Sequence, residues 1–202
     1  MKKPSDWESA PAYTGEASAQ LPKGGYVLKI KAAKVEETQQ YGEKLHILFD
    51  IAEGDYKDFV QAKYDKTKAE SNNPKDVKWP AVGRYNTFVS TKDGTTNGWF
   101  KGLITSIEKS NNYKFDWDEK SLVNKLVGGL FAVDEFEGSD GKVIPLVKMM
   151  QARSVDVIRS GDYELPEDRL LDKSKAKTAA ATKEELPFAD IEDAEDEETL
   201  PF

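Results

Sequence analysis

Alternating apolar and polar residues mark the first ordered segment, residues 25–37. Tyr26, Leu28 and Ile30 alternate with Val27, Lys29 and Lys31, the two-residue period of a half-buried strand. Leu21-Pro22-Lys23-Gly24-Gly25 precedes it as a turn signal. Residues 44–52 repeat the pattern. Leu45, Ile47, Phe49 and Ile51 share one face, and His46, Leu48 and Asp50 the other. The short link through Tyr41-Gly42 predicts an antiparallel pair. A third strand is expected near Arg84–Ser90. Over 98–110 the period changes. Trp99, Phe100, Leu103, Ile104 and Ile107 form one apolar helical stripe, which puts both Trp99 and Phe100 in the core. Asp118 is placed to cap a further helical turn. Two last strands, Leu126–Glu137 and Lys142–Ile158, flank the hairpin loop Gly138-Ser139-Asp140-Gly141. Pro145 requires the last strand to lie at an edge or to be bulged early on.

Residues 54–83 break this rhythm. They hold many lysines, Asn72-Asn73, Pro74 and Pro80, and predict a long excursion with a short helix around Tyr56–Lys66. The order strand, strand, strand, helix, strand, strand predicts a mainly β fold with one principal helix. The expectation is a five-stranded OB-fold-like barrel over residues 22–171, with the excursion between strands 2 and 3. Residues 1–21, with Trp7 and Tyr13, read as an N-terminal arm, Trp7 docked on the body. Residues 172–183 read as a Lys/Ala/Thr-rich linker. Residues 184–202, acidic and of low complexity, cannot offset their ordering entropy and are expected to be disordered alone.

Charge changes the functional picture. The chain carries a net charge of −8, but residues 184–202 contribute nine acids and no base. The first 183 residues hold 28 acids against 29 bases. The acidic average therefore does not argue against a nucleic-acid partner. There is no cysteine, which excludes disulfides, zinc thiolate sites and cysteine nucleophiles. No apolar run approaches the roughly 18–20 residues that span a bilayer. Two lysines open the chain without an apolar stretch behind them, so no signal peptide is read and a cytoplasmic protein is expected.

The last residues run Ala189-Asp190-Ile191-Glu192-Asp193-Ala194-Glu195-Asp196-Glu197-Glu198-Thr199-Leu200-Pro201-Phe202, and Glu184-Glu185-Leu186-Pro187-Phe188 is an earlier copy of the closing motif. This segment resembles the C-terminal tip of bacterial single-stranded DNA-binding proteins, a run of acids closed by Leu/Ile-Pro-Phe. The resemblance implies that Leu200, Pro201 and Phe202 dock replication, repair and recombination proteins. Physically, Phe202 offers a ring and an α-carboxylate on one residue, suited to a pocket with an apolar floor and a basic rim. The bland alternative is a solubilising acidic tail. The stretches Leu21–Val27, Phe49–Gly54 and Arg153-Ser154-Val155-Asp156 resemble single-stranded DNA-binding proteins carried by bacteriophages and mobile elements of Gram-positive bacteria. The long 54–83 excursion departs from the usual bacterial domain, so no DNA-contact residue is carried over.

Strand binding without sequence preference needs cations for phosphates and aromatic faces for bases. Lys29, Lys31, Lys34, Lys63, Tyr64, Lys66, Lys68, Lys75, Lys78, Trp79, Arg84, Tyr85, Phe88 and Lys92 interleave both types. The residues chosen as DNA contacts are Lys31, Tyr64, Trp79, Arg84 and Tyr85. Lys29 and Lys31 serve equally as a solvated strand face, and Trp79 as a plug of the loop onto the body. Tyr85 and Phe88 have opposite strand parity, so at most one of them faces DNA. No phosphate-binding glycine loop is present. His46, the only histidine, reads as a residue of the polar strand face. Asp116, Asp118, Glu119 and Asp140 raise a magnesium nuclease, but Asp118 is better explained as a cap and Asp140 as a turn. The expected protein is a non-enzyme without metal or cofactor. It binds single-stranded DNA and recruits proteins through its tip, with no membrane partner and with a homodimer left open. The rival is an interaction protein whose acidic tail mimics DNA or baits a host enzyme.

Overall fold

The computed structural model describes residues 20–38, 42–138 and 141–171. Residues 1–19, 39–41, 139–140 and 172–202 lie outside it, and with them the readings of Trp7, Asp140, the linker and the acidic tip. Five strands, β1 (Gly24–Thr38), β2 (Gly42–Ile51), β3 (Arg84–Phe88), β4 (Leu126–Glu137) and β5 (Val143–Arg153), form one antiparallel sheet of order β3-β2-β1-β4-β5. Helix α1 (Phe59–Glu70) lies between β2 and β3, α2 (Gly98–Asn111) between β3 and β4, and α3 (Val155–Ser160) after β5.

β1 is long enough to serve two partners. Its N-terminal part pairs with β4 and its middle and C-terminal parts with β2, and Leu28 and Lys29 pair on both sides. A bulge between Ile30 and Ala32 shifts the strand's parity. Leu28 and Ile30 face the core before it, and Ala33 and Val35 after it, opposite Ile51, Phe49, Ile47 and Leu45. Phe131, Val127 and Met149 complete the core from β4 and β5, and Leu103 and Ile107 from α2.

The sheet does not close as a barrel. Among the described residues no ladder joins its edges β3 and β5. β3 is only five residues long, and the turn Ala81–Gly83 packs against β5 in place of a further strand. Pro145 lies on the edge strand β5, where no inner ladder is interrupted.

The helices correct three expectations. There are two long helices rather than one, of 12 and 14 residues. The helix expected around Tyr56–Lys66 is present as α1 but extends to Glu70, a length the apolar pattern does not show because only Val60 and Tyr64 are buried along it. In α2, Phe100 is buried but Trp99 is 58% exposed. The buried stripe runs Phe100, Leu103, Ile107, and Trp99 lies about 100° round the helix from its first member. The last strand stops at Arg153 instead of Ile158. Ser154 and Asp156 begin a helical turn there, which Gly161 ends at φ 72°. The chain then returns to β4, where Arg169 N–H donates to Val133 O and Glu135 N–H to Arg169 O, each 2.8 Å.

Candidate nucleic-acid interface

The registers of β1, β2 and β3 decide which side chains share the sheet's outer face. With the bulge accounted for, three cross-strand rows lie there: Ala32–Leu48–Arg84, Lys34–His46–Asn86 and Glu36–Lys44–Phe88. Lys29 opposite Asp50 extends the face at one end. Lys31 is the bulged residue and stands close enough to Asp50 to favour its ionised form. Neighbouring strands are about 4.8 Å apart and same-face residues about 6.7 Å along a strand. The face thus carries five cations, Lys29, Lys31, Lys34, Lys44 and Arg84, and two acids, Glu36 and Asp50.

Of the two acids, Asp50 is held by hydrogen bonds and Glu36 stands beside His46. The Asp50 carboxylate is buried and accepts from the backbone N–H groups of Ile51, Val60 and Gln61 at 2.8, 3.0 and 3.2 Å. It thereby satisfies orphan donors at the start of α1, whose own cap residue, Asp58, makes no side-chain cap. Burial pushes the Asp50 carboxyl up, against the pull of those three N–H groups and of Lys31. Glu36 Oε2 lies 3.2 Å from His46 Nε2 but out of line for a hydrogen bond. Burial, and next Lys44, hold the His46 imidazole below the usual histidine range. At the third row Lys44 Nζ stands 5.4 Å from the centroid of the Phe88 ring.

The residues singled out from sequence divide sharply. Lys31 and Arg84 lie on this face. Tyr85 pairs with Ile47 on the core side, and its half-buried phenol is pushed up by burial. Tyr64 and Trp79 are 5% and 6% exposed and pack together with ring centroids 5.4 Å apart. Trp79 Nε1 donates to Phe49 O at 3.2 Å, and the Arg84 guanidinium donates to Trp79 O. The structure thus gathers Tyr64, Trp79 and Arg84 in one cluster that plugs the excursion onto the edge of β2. Neither of the two buried rings is open to a base there. Leu200, Pro201 and Phe202 lie outside the described residues.

Compared with protein families and with curated protein sequences, the chain matches none.

The residues missed from sequence are Lys44, His46, Asn86 and Leu48, together with the choice of Phe88 over Tyr85. A usable signal existed in β3. Arg84, Asn86 and Phe88 share one parity and Tyr85 and Thr87 the other, and two polar members mark the first set as outward. Asp116 and Asp118, raised for metal chemistry, make local bonds instead. Asp116 accepts from Ser121 Oγ at 2.7 Å, and Asp118 accepts from Lys120 N–H at 3.0 Å as a helical cap. No helix among the described residues is long and apolar enough to cross a membrane.

Proposed function

We propose that this protein binds single-stranded DNA across the outer face of β1, β2 and β3, coats and protects it, and recruits partner proteins through Leu200-Pro201-Phe202. The observation that carries the reading is the outer sheet face, where Lys34 and Lys44 of the cross-strand rows, with Lys29 and the bulged Lys31 beside them, share one side with the Phe88 ring. Phosphates take the cations, and a base takes the ring. The strand order β3-β2-β1-β4-β5, with a helix between β3 and β4, supports reading the sheet as an OB-fold arrangement left open at β3 and β5. In that fold the face of strands 2 and 3 is a known seat for oligonucleotides. The near-balanced charge of the first 183 residues permits such a partner. The resemblance of the tip to bacterial single-stranded DNA-binding proteins supports the recruiting half, and the phage-type stretches support a role in phage or mobile-element replication and recombination, in the bacterial cytoplasm and without catalysis.

The test is a titration of labelled oligo-dT and a matched duplex at two salt concentrations. Tight, salt-sensitive binding selective for the single strand is expected. Binding to neither form defeats the proposal.

A further inference from the structure

α2 carries two glycines, Gly98 and Gly102, four residues apart on one helix face. Glycine is among the least favourable helix residues, and packing is the usual reason to keep one. Among the described residues there is none: a Cβ built on either glycine would meet nothing within 4 Å. Instead both line a shallow groove of about 460 Å³ between α2 and the end of β5. Lys101, Lys109 and Arg153 also line it, and among the described residues no carboxylate does. Trp99, an exposed tryptophan, precedes Gly102 and Ser106 at helical spacing i, i+3, i+7, so it stands in the row that leads into the groove. The mouth of the groove is tied to the sheet, because Asn97 N–H donates to Val89 O at 3.0 Å. Val89 follows Phe88, the aromatic end of the sheet face.

We infer that the groove between α2 and β5 is a second binding segment for the same DNA strand, continuing from the Phe88 end of the sheet face. The bare glycine backbone lets a sugar-phosphate chain lie close to the helix. Lys101, Lys109 and Arg153 neutralise its phosphates, and Trp99 stacks a base at the entrance. This inference rests on the proposed function and deepens it: the sheet face holds a short strand, and only a longer one reaches the groove.

The experiment compares oligo-dT of about 8 and about 30 nucleotides on the full chain, since a single OB-type domain covers roughly 4–16 nucleotides. Lys101→Ala combined with Lys109→Ala should lower the salt slope for the long strand by about 1.4, at ~0.7 per phosphate, and leave that for the short strand unchanged. Gly102→Leu, which replaces a poor helix former in open space, should raise the melting temperature yet weaken long-strand binding about tenfold or more. That pairing of gain and loss is not expected of a merely structural residue. If the unaltered protein binds both strands and neither variant changes the long-strand result, the groove is overturned while the sheet face stands. If the unaltered protein binds neither strand, both readings fall. Tighter long-strand binding by the lysine variant would assign the groove to the chain's own acidic segment and overturn the inference.

Discussion

Lys44 Nζ faces the Phe88 ring across the β2–β3 ladder, 5.4 Å from its centroid. In the proposed interface the pair sets a phosphate-binding cation beside a base-stacking ring, and the two contributions are separable by substitution. Phe88→Ala should weaken oligo-dT binding by about 1–3 kcal/mol, the worth of one stacked base, with the salt slope unchanged. Lys44→Ala should reduce that slope by about 0.7, one phosphate's share for a single strand. Fluorescence anisotropy at several salt concentrations measures both. Equal effects of the two substitutions on the slope would refute the division of roles.

The sheet was legible because its apolar alternation is regular over Leu45–Ile51 and Leu28–Ile30. The site was less so, for a local reason. The bulge after Ile30 reverses the parity of β1, so Lys31 and Ala32 both belong to the outward side and Ala33 turns inward. No periodicity reveals where an extra residue enters. The excursion hid its core for a different reason. Tyr64 and Trp79 are fifteen positions apart, and only their packing on Phe49 O and on each other makes them interior. Val155–Ile158 read as strand because its Val and Ile residues suit either structure; the helical turn is fixed by contacts the pattern does not show, Val155 N–H donating to Ser110 Oγ at 3.0 Å and Gly161 closing the turn at φ 72°.

Gly83 sits where that packing is closest. A Cβ there would lie 2.4 Å from Trp79 Nε1, 2.5 Å from Val60 Cγ1 and 2.9 Å from Phe49 O. Gly83→Ala must displace the indole or the backbone and break the Trp79–Phe49 hydrogen bond. The expected loss of stability is about 1–3 kcal/mol, as for overpacking elsewhere. Urea unfolding followed by tryptophan emission measures it, with Trp79→Phe identifying which of the four tryptophans carries the change. An unaltered unfolding midpoint would show that the cluster yields freely.

Asp50 anchors α1 to β2 through three backbone donors. Asp50→Ala leaves those donors without their acceptor and should cost about 2–4 kcal/mol. Asp50→Asn keeps an oxygen for Ile51 and Val60, which share Oδ1, and loses mainly the Gln61 bond. The carboxyl is already pushed up by burial, so the folded state binds its proton more tightly than the unfolded chain does. Stability from this group is therefore greatest below the unfolded pKa and declines as pH rises through the folded one. A neutral amide escapes that decline. Asn should thus be clearly milder than Ala in thermal melts at neutral pH, and equal losses would remove the anchoring role.

The nine acids of residues 184–202 resemble a strand's phosphates to a basic face, so the two should compete for it. Deleting residues 184–202 should tighten oligo-dT binding at low salt, with the gain vanishing as salt screens both. Phe202→Ala should leave DNA binding untouched and abolish capture of replication or recombination proteins by the tip. Unchanged or weaker DNA binding after the deletion would end the competition argument.

His46 sits in the middle row of the face, so its proton should report on both folding and binding, with opposite signs. Burial, Lys44 and Lys34 press its pKa below the ordinary 6.5, while Glu36 and the Asn86 side chain oppose them. The unfolded chain therefore takes up the proton first as pH falls. The stability tied to the neutral ring is present above the unfolded pKa and is lost as pH drops through the folded one. A phosphate laid on the row acts the other way, since it favours the imidazolium. Acidification below the ordinary histidine pKa should then tighten oligo-dT binding even as the melting temperature declines. His46→Gln should flatten the histidine part of both trends, leaving only what the carboxylates contribute. Binding titrations and melts on the same pH series supply the comparison. A histidine-dependent melt with a histidine-independent affinity would place the strand away from this row.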